Sequence, residues 1–210
     1  MRSERTELEY RTIIDWVERG SRVLDLGCGD GELLRRLRHE KQVGGQGIEI
    51  DDRALFRAVA KGLIVLHEDI DDGLSDFADR SFDYVILANS FQQVRKPDRV
   101  LQEALRVGGD VIIAFPNFAH WRSRLQIALH GRTPVTSSLP YEWHETPNLH
   151  FLSIRDFLGY CRSHDIRVER LAAFGERSRA PRLPNLLAES AVVLLRSASG
   201  ERTNADGGHA

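Results

Sequence analysis

The chain has little of what marks secreted or nucleic-acid-binding proteins. It contains only two cysteines, Cys28 and Cys161, among 210 residues. Cys28 lies between two glycines, a poor place for a disulfide, so we expect a reducing compartment. Lysine and arginine number 29 against 31 aspartates and glutamates. With the charge so nearly balanced, no basic field indicates a nucleic-acid ligand and no polybasic cluster indicates anionic lipid.

Long apolar segments are also lacking. No run approaches the length that spans a bilayer, and the N-terminal residues 2–9 are charged rather than apolar as in a signal peptide. We therefore predict a cytoplasmic protein without a membrane partner. The length fits a single domain, which we place at residues 1–196, and we expect the Gly-, Ser- and Asn-rich residues 197–210 to be a disordered tail.

The most informative segment reads VLDLGCGDG and contains three glycines, Gly27, Gly29 and Gly31. An apolar run typical of a buried strand precedes them, and apolar residues at helical spacing follow. Strand, glycine loop and helix bring backbone amides close to a ligand, because glycine tolerates positive φ and has no Cβ. Glu32 directly follows the third glycine, so the spacing is not the G-x-G-x-x-G of dinucleotide sites. Asp25 would repel a pyrophosphate there but suits a ligand that carries positive charge.

A second short apolar run ends near Glu49, twenty positions beyond Gly29. A carboxylate at the tip of the second strand is where a ribose diol is held in such folds. The glycines alone fit an ordinary tight turn. Strand, helix and Glu49 together favour binding of a nucleotide-type ligand.

Strand and helix patterns alternate as far as residue 115. Helical spacing predicts a first helix closed by Gly20, and apolar runs predict strands at 23–26, 46–50, 63–66, 82–88 and 110–115 with helices between them. Such alternation specifies a parallel, doubly wound sheet that binds ligands beyond the carboxyl ends of its strands. We therefore expect the glycine loop, Glu49, Asp69, Asn89 and residues 116–117 to converge.

The pattern changes after Pro116. Residues 116–152 form an aromatic, proline-rich insertion that includes a predicted helix at 121–129. Aromatic side chains are enriched in interface cores, and Arg122, Arg124 and Arg132 fit a polar rim. A partner-binding surface and a simple lid over the pocket both fit this composition. Beyond it, Ser153 and Asp156 predict a capped helix to about 164, followed by strands at 166–173 and 189–195.

The glycine spacing, with an acid ahead of it, resembles the first motif of class I S-adenosylmethionine-dependent methyltransferases. This resemblance implies an α/β, Rossmann-like fold: a mostly parallel seven-stranded sheet with an antiparallel last strand and helices on both faces. S-adenosylmethionine or S-adenosylhomocysteine is the implied cofactor. The residues that we predict to bind it are Asp25, Gly27, Cys28, Gly29, Gly31, Glu49, Ile50, Asp69, Ile70 and Asn89.

Each part of this cofactor has a candidate partner. The loop amides and the helix dipole suit its carboxylate, and Asp25 suits its ammonium. Glu49 would accept two hydrogen bonds from the ribose. Asp69 would accept the adenine amino hydrogen, or would simply cap a turn in its acidic stretch. Cys28 is a candidate nucleophile, although a small residue that fills the loop explains it better.

Further segments resemble the methionine biosynthesis protein MetW family over about residues 14–195. The matching segments are FDYVIL at 82–87, LRVGG at 105–109, PNFAHWR at 116–122, LPYEW at 139–143 and TPNLH at 146–150. Residues 90–92 and 144–145 depart from the family's commoner pattern. The resemblance implies a methyltransferase-like protein that works with homoserine O-acyltransferase, acetyl or succinyl, in methionine biosynthesis.

Three functions follow from these patterns. The first is an S-adenosylmethionine-binding regulatory subunit of the acyltransferase, and the second is an active methyltransferase for a small molecule or a protein. An RNA modifier rests only on scattered arginines. His120 is the candidate general base, although bonding to the backbone in a packed segment explains this histidine as well. The histidines at 130, 144 and 150 lack the spacing of metal ligands, so we predict no metal.

Overall fold

The described part of the chain comprises residues 3–176, 178–179 and 182–196 of a computed structural model. The tail expected at 197–210 lies outside the described residues. Seven strands form one sheet in the order β3-β2-β1-β4-β5-β7-β6. They are β1 (Arg22–Leu26), β2 (Gly44–Glu49), β3 (Ile64–His67), β4 (Phe82–Ala88), β5 (Gly108–Pro116), β6 (Arg167–Phe174) and β7 (Ser190–Arg196).

Strands β1 to β5 pair in parallel, and β7 runs antiparallel to both β5 and β6. The prediction of a mostly parallel seven-stranded sheet with an antiparallel last strand is confirmed. From β1, the strands β2 and β3 follow on one side of the sheet, and β4 and β5 follow on the other side. The order of the strands therefore switches direction between β1 and β4. Such a switch point opens a crevice beyond the carboxyl ends of the strands.

The described residues form seven helices beside the sheet. They are α1 (Glu4–Trp16), α2 (Glu32–Lys41), α3 (Asp52–Ala60), α4 (Pro97–Val107), α5 (Trp121–His130), α6 (Ile154–Ser163) and α7 (Pro184–Leu187), with 3₁₀ turns at Ile70–Asp72 and Phe91–Gln93. The sequence analysis did not predict α7 or the 3₁₀ turns. It predicted the other helices and strands, with bounds that differ by a few residues.

Two boundaries differ for a clear physical reason. Helix α1 ends at Trp16, because Val17 has extended backbone dihedrals, so Gly20 lies beyond the helix that it was expected to close. Helix α4 ends at Val107, and β5 begins at Gly108, two residues before the strand predicted at 110–115. A Cβ at Gly108 would lie 2.7 Å from Val85 Cγ2, so this start of the strand requires glycine.

The two faces of the sheet carry separate apolar cores. In β4, Ile86 packs with Ile13 of α1 and Leu34 of α2, whereas Leu87 packs on the opposite side with Leu101 of α4. Alternate residues of a strand point to opposite faces, so a strand covered on both faces is apolar throughout. The predicted helices on both faces are confirmed, and only the edges of the sheet remain for a ligand.

Candidate functional site

A cleft of about 640 Å³ opens at the carboxyl edge of the sheet, beside the switch point. The glycine loop, the end of β2, the turn after β3 and the segment after β4 form its walls. Seven residues predicted to bind a cofactor line this cleft: Gly27, Gly29, Glu49, Ile50, Asp69, Ile70 and Asn89. The convergence expected from the strand order is therefore present for most of the predicted residues.

Several positions expected at this edge do not line the cleft. Asp25, Cys28 and Gly31 are not among the described residues that line the cleft. Gly31 begins α2 with φ +71°, and a Cβ there would come within 2.3 Å of Leu63 Cδ1. This glycine lets the start of α2 lie close to Leu63 and to Ala58 of α3. Asn117 is buried and donates to the carbonyl of Ala188 at 2.8 Å, so it fastens β5 to the start of β7.

The amides of the glycine loop are already hydrogen-bonded within the protein. Those of Gly27 and Cys28 donate to the carbonyl of Ile48 at 2.8 and 3.0 Å, and that of Gly31 donates to Cys28 at 3.0 Å. The Gly29 amide donates to Glu49 Oε2 at 2.7 Å. The first two donors and the amide of Gly29 hold the loop against β2, and the amide of Gly31 closes a turn within the loop. This differs from the expectation that they receive a ligand carboxylate.

Glu49 closes the floor of the cleft through three backbone amides. Besides the bond from Gly29, its Oε1 accepts from Ile50 at 3.0 Å and from Asp51 at 2.9 Å. A carboxylate offers about four acceptor positions, so one remains free at Oε2. In this arrangement Glu49 can accept one additional hydroxyl group, not the two that the sequence analysis expected.

Asp25 lies behind the glycine loop as a buried carboxyl group. Its side chain is 1% exposed, and Oδ1 has no hydrogen-bond partner among the described residues. Burial, with the charge of Glu49 adding to it, raises the pKa of Asp25 to about 7. An unpaired buried carboxyl group is costly, so the position calls for a cation or a donor.

Cys28 fills space beneath the same loop. A Cβ at Gly47 would lie 2.5 Å from Cys28 Sγ, so β2 needs glycine to make room for the thiol. Burial raises the pKa of Cys28, which keeps the thiol protonated and unreactive. The geometry favours the filling role over the nucleophile.

Asp69 caps the 3₁₀ turn after β3, as its alternative interpretation proposed. Its Oδ1 accepts from the amide of Asp71 at 2.9 Å, and its Oδ2 pairs with Arg95 at 2.8 Å. Arg95 also lines the cleft and was missed by the sequence analysis. Arg95 lies 26 positions from Asp69, and no helical or strand period connects the two.

The insertion divides into two parts. Near its end, Pro147 and Leu149 line the cleft. The amides of Leu149 and His150 donate to the carbonyl of Gln92 at 2.9 and 3.1 Å, which ties this part over the cleft like a lid. The earlier part, from α5 to Trp143, projects apolar side chains into solvent.

His120 is buried and lies away from the described lining of the cleft. Burial lowers the pKa of this histidine, so the ring is neutral near pH 7. Its Nδ1 has no partner among the residues that the structure describes. A hydrogen bond between Nδ1 and the backbone, the alternative interpretation, is therefore not seen among the described residues. Because His120 does not line the cleft, its position does not support a role as general base for a substrate there.

A buried polar cluster under α1 was also missed. Glu9 and Glu189 are both buried, and Arg5 bridges them at 3.4 and 3.2 Å. Ser190 donates to Glu9, and Asn89 Nδ2 donates to Glu9 Oε2 at 3.2 Å. Burial raises the pKa of Glu9. The amide of Asn89 thus anchors α1 rather than pointing freely into the cleft.

A signal for this cluster exists in the sequence. Glu9 lies four positions before Ile13 and therefore on the apolar face of α1, where an acid needs a buried partner.

Within the described ranges, no group of three or more His, Cys, Asp or Glu side chains is placed to hold a metal ion. None of the described helices combines the length and apolar character needed to cross a bilayer.

Comparison with known proteins agrees with this geometry. The family model of the methionine biosynthesis protein MetW matches residues 7–195. A bifunctional methionine biosynthesis protein MetXA/MetW of Rhodopirellula baltica is 34% identical over 199 residues, covering 89% of this chain and 32% of that protein. A phosphatidylethanolamine N-methyltransferase of Cereibacter sphaeroides is 36% identical over 104 residues, covering 45% of this chain and 50% of that one. The chain thus spans about a third to a half of the length of these curated relatives.

Solved structures identify the fold. An S-adenosylmethionine dependent methyltransferase of Mesorhizobium loti superposes with a TM-score of 0.65 at 20% identity, covering 90% of this chain and 95% of that one. The fold is that of the class I S-adenosylmethionine-dependent methyltransferases.

Proposed function

The chain belongs to the methionine biosynthesis protein MetW family, and on that premise we propose that it binds S-adenosylmethionine or S-adenosylhomocysteine as an accessory, regulatory subunit of homoserine O-acyltransferase. The observation that carries the proposal is the cleft at the switch point, whose floor is a glycine loop locked to the carboxylate of Glu49. The same fold serves S-adenosylmethionine-dependent enzymes.

The residues present fit this cofactor. The orphaned Oδ1 of Asp25 offers a buried negative site behind the loop, suited to an ammonium or a sulfonium. The free acceptor position of Glu49 suits a ribose hydroxyl, and Asp69 at the far wall suits the adenine amino group. Ile50 and Ile70 add apolar walls for a planar base. When bound, the cofactor supplies either a transferable methyl group or a metabolite signal.

The partnership rests on the relative that joins MetXA and MetW in one protein. Two functions joined in one chain are held in constant proximity, and we infer that the function of this chain depends on contact with an acyltransferase. The proposal places both in the cytoplasm. The free thiols of Cys28 and Cys161, buried and unbridged, support that reducing location.

An active methyltransferase is the second candidate. The similarity to the Cereibacter sphaeroides phosphatidylethanolamine N-methyltransferase favours it. Transfer to a good nucleophile depends mainly on alignment, so a general base in the cleft is not required. Transfer of labelled methyl groups from S-adenosylmethionine into cell extract distinguishes this candidate from the first.

Calorimetry tests the pocket. We expect Glu49→Gln to weaken S-adenosylmethionine binding by about 1–3 kcal/mol, roughly 5- to 150-fold, because a charge-assisted bond and the anchoring of the loop are both weakened. Glu40→Gln, an exposed site on α2, makes the same change in charge away from the cleft and should leave affinity unchanged. Absence of heat with the unaltered protein, or equal affinities for both variants, would contradict the proposal.

Co-purification tests the partnership. We expect the chain to co-elute with homoserine O-acyltransferase of the same organism and to change its rate of acyl transfer to homoserine. Separate elution together with an unchanged rate would rule out an accessory subunit.

A further inference from the structure

Helix α5 exposes the apolar residues that a surface helix normally buries. Among its ten residues only Ser123 is buried, whereas Trp121, Leu125 and Leu129 are exposed, Leu129 at 68%. A helix packed on a core turns its apolar stripe inward and its polar face outward. Here the arrangement is inverted, so the stripe has no counterpart within the described chain.

The segment after α5 extends this apolar surface. We call the combined surface the α5 face, and it consists of Trp121, Leu125, Ile127, Leu129, Val135, Tyr141 and Trp143, all exposed. Exposed apolar surface that is large for a monomer marks a site of association. Tryptophan and tyrosine are the residue types that most often carry the binding energy of an interface.

A groove of about 900 Å³ borders the α5 face and shares Val135 and Trp143 with it. His130, Arg132 and Glu142 also contribute to its walls, and Trp143 is 72% exposed. Two hydrogen bonds hold its shape, because Gln126 donates to the carbonyl of Val135 at 3.1 Å and accepts from the amide of Val135 at 2.9 Å. A fixed groove favours an occupant that projects a side chain or a turn over one that is flat.

Most of the charge around the α5 face is positive, although Glu142 lines the groove and Arg122 pairs with Glu176 at 3.8 Å. Residues 116–141 contain no aspartate or glutamate, and Arg122, Arg124 and Arg132 are exposed there. The matching surface would be an apolar projection with acidic flanks. None of the described residues of the α5 face lines the cofactor cleft, so docking would leave that cleft accessible.

We propose that the α5 face is the surface on which homoserine O-acyltransferase docks, an inference that rests on the proposed function. A second copy of this chain fits less well, because a two-fold contact would bring these arginines of two copies together. A lipid surface offers no projection to fill the groove. A partner protein with an acidic rim satisfies both the groove and the charge, and the relative of Rhodopirellula baltica shows that the two functions occur in one polypeptide.

Charge introduced into the α5 face provides the test. The double variant Leu125→Asp/Leu129→Asp changes two exposed helical positions and should fold normally. We expect it to weaken binding of the purified acyltransferase by about 30-fold or more, as replacement of interface anchors does. The matched control is Phe56→Asp/Val59→Asp, two exposed apolar positions on α3, which should bind the acyltransferase as the unaltered protein does.

The outcomes separate the two proposals. If the unaltered chain does not bind the acyltransferase, the proposed function fails, and this inference fails with it. If the unaltered chain binds and the α5 variant binds equally well, only this inference is overturned. Loss of self-association in the α5 variant by light scattering, or loss of its sedimentation with phosphatidylethanolamine–phosphatidylglycerol vesicles, with acyltransferase binding intact, would assign the face to another copy or to a membrane.

Discussion

Acidic side chains at the carboxyl edge of the sheet differ in how completely their oxygens are hydrogen-bonded. Glu49 accepts three backbone amides, whereas Asp25 is buried with an unpaired oxygen. The first arrangement stabilises the fold, and the second costs stability whenever the group is ionised. A binding site for a cation benefits from such a cost, because the ligand relieves it.

The ligand-free protein should therefore become more stable when Asp25 cannot ionise. In the folded protein the pKa of Asp25 is raised to about 7 from 3.8, so its contribution to stability is present below pH 4 and is lost as pH rises through 7. We expect the stability advantage of Asp25→Asn over the unaltered protein to be small at pH 4.5, about 1 kcal/mol, and to grow to at most about 4 kcal/mol at pH 8. Thermal unfolding at pH 4.5, 6.5 and 8 measures this, and a difference that does not vary with pH would contradict it.

The same substitution should weaken S-adenosylmethionine binding under the proposed function, because the ligand loses its buried counter-charge. A gain in stability at the expense of binding is the usual sign that a residue is kept for function. If Asp25→Asn stabilises the fold and leaves binding unchanged, the acid has no part in recognising the ligand.

Individual residues show how much of the candidate site could be predicted from the sequence. The types and spacing of Asp25, Glu49 and the loop glycines were sufficient to predict a site at this edge. The use of the loop amides by Ile48 was not predictable, because it depends on how closely the loop approaches β2. The pairing of Asp69 with Arg95 was missed for a similar reason, since it joins two turns that only the folded chain brings together.

At the scale of helices and strands, local sequence patterns correctly predicted the elements that are long or that begin with a capping motif. The Ser153–Asp156 pattern predicted the start of α6, and the structure has both hydrogen bonds of that capping box. Helix α7 has four residues and the 3₁₀ turns have three, too few for a period to be visible. Periodicity correctly predicted α5, but it does not reveal whether the apolar face is covered.

The capping box of α6 gives a prediction on stability. We expect Ser153→Ala to lower the free energy of unfolding by about 0.5–2 kcal/mol, because the amide of Asp156 loses its acceptor near a buried helix end. Ser163→Ala makes the same change at the exposed C-terminal end of α6 and should cost less. Urea unfolding measures the free energy of unfolding of both variants, provided that its dependence on urea concentration stays that of the unaltered protein. Equal losses of free energy in the two variants would show that the cap contributes nothing specific.

At the scale of the whole molecule, the cleft and the α5 face are joined by a continuous polar path. Asn89 at the cleft bonds to Glu9, Arg5 bridges Glu9 and Glu189, and Glu189 pairs with Arg122 of α5 at 3.7 Å. The members of this path lie far apart along the chain, so the sequence did not reveal it. A path of contacts alone does not prove coupling between two sites, which has to be measured as a free energy.

Under the proposed function, that free energy has to be the same in both directions. If S-adenosylmethionine changes the affinity for the acyltransferase by some factor, the acyltransferase changes the affinity for S-adenosylmethionine by the same factor. We expect a factor of roughly 5 to 150, the usual range for coupled sites. Calorimetric titration of the ligand with and without saturating acyltransferase, and of the acyltransferase with and without ligand, measures both.

The variants described above serve as controls for this coupling. Leu125→Asp/Leu129→Asp should retain the ligand affinity of the free chain but lose the change caused by the acyltransferase, because only the docking surface is altered. Glu49→Gln should bind the acyltransferase and should respond to ligand only at concentrations raised by the same factor as its ligand dissociation constant. Ligand affinity that is identical with and without bound acyltransferase would mean that the cleft does not regulate the partner, and would favour the methyltransferase as the function of the cleft.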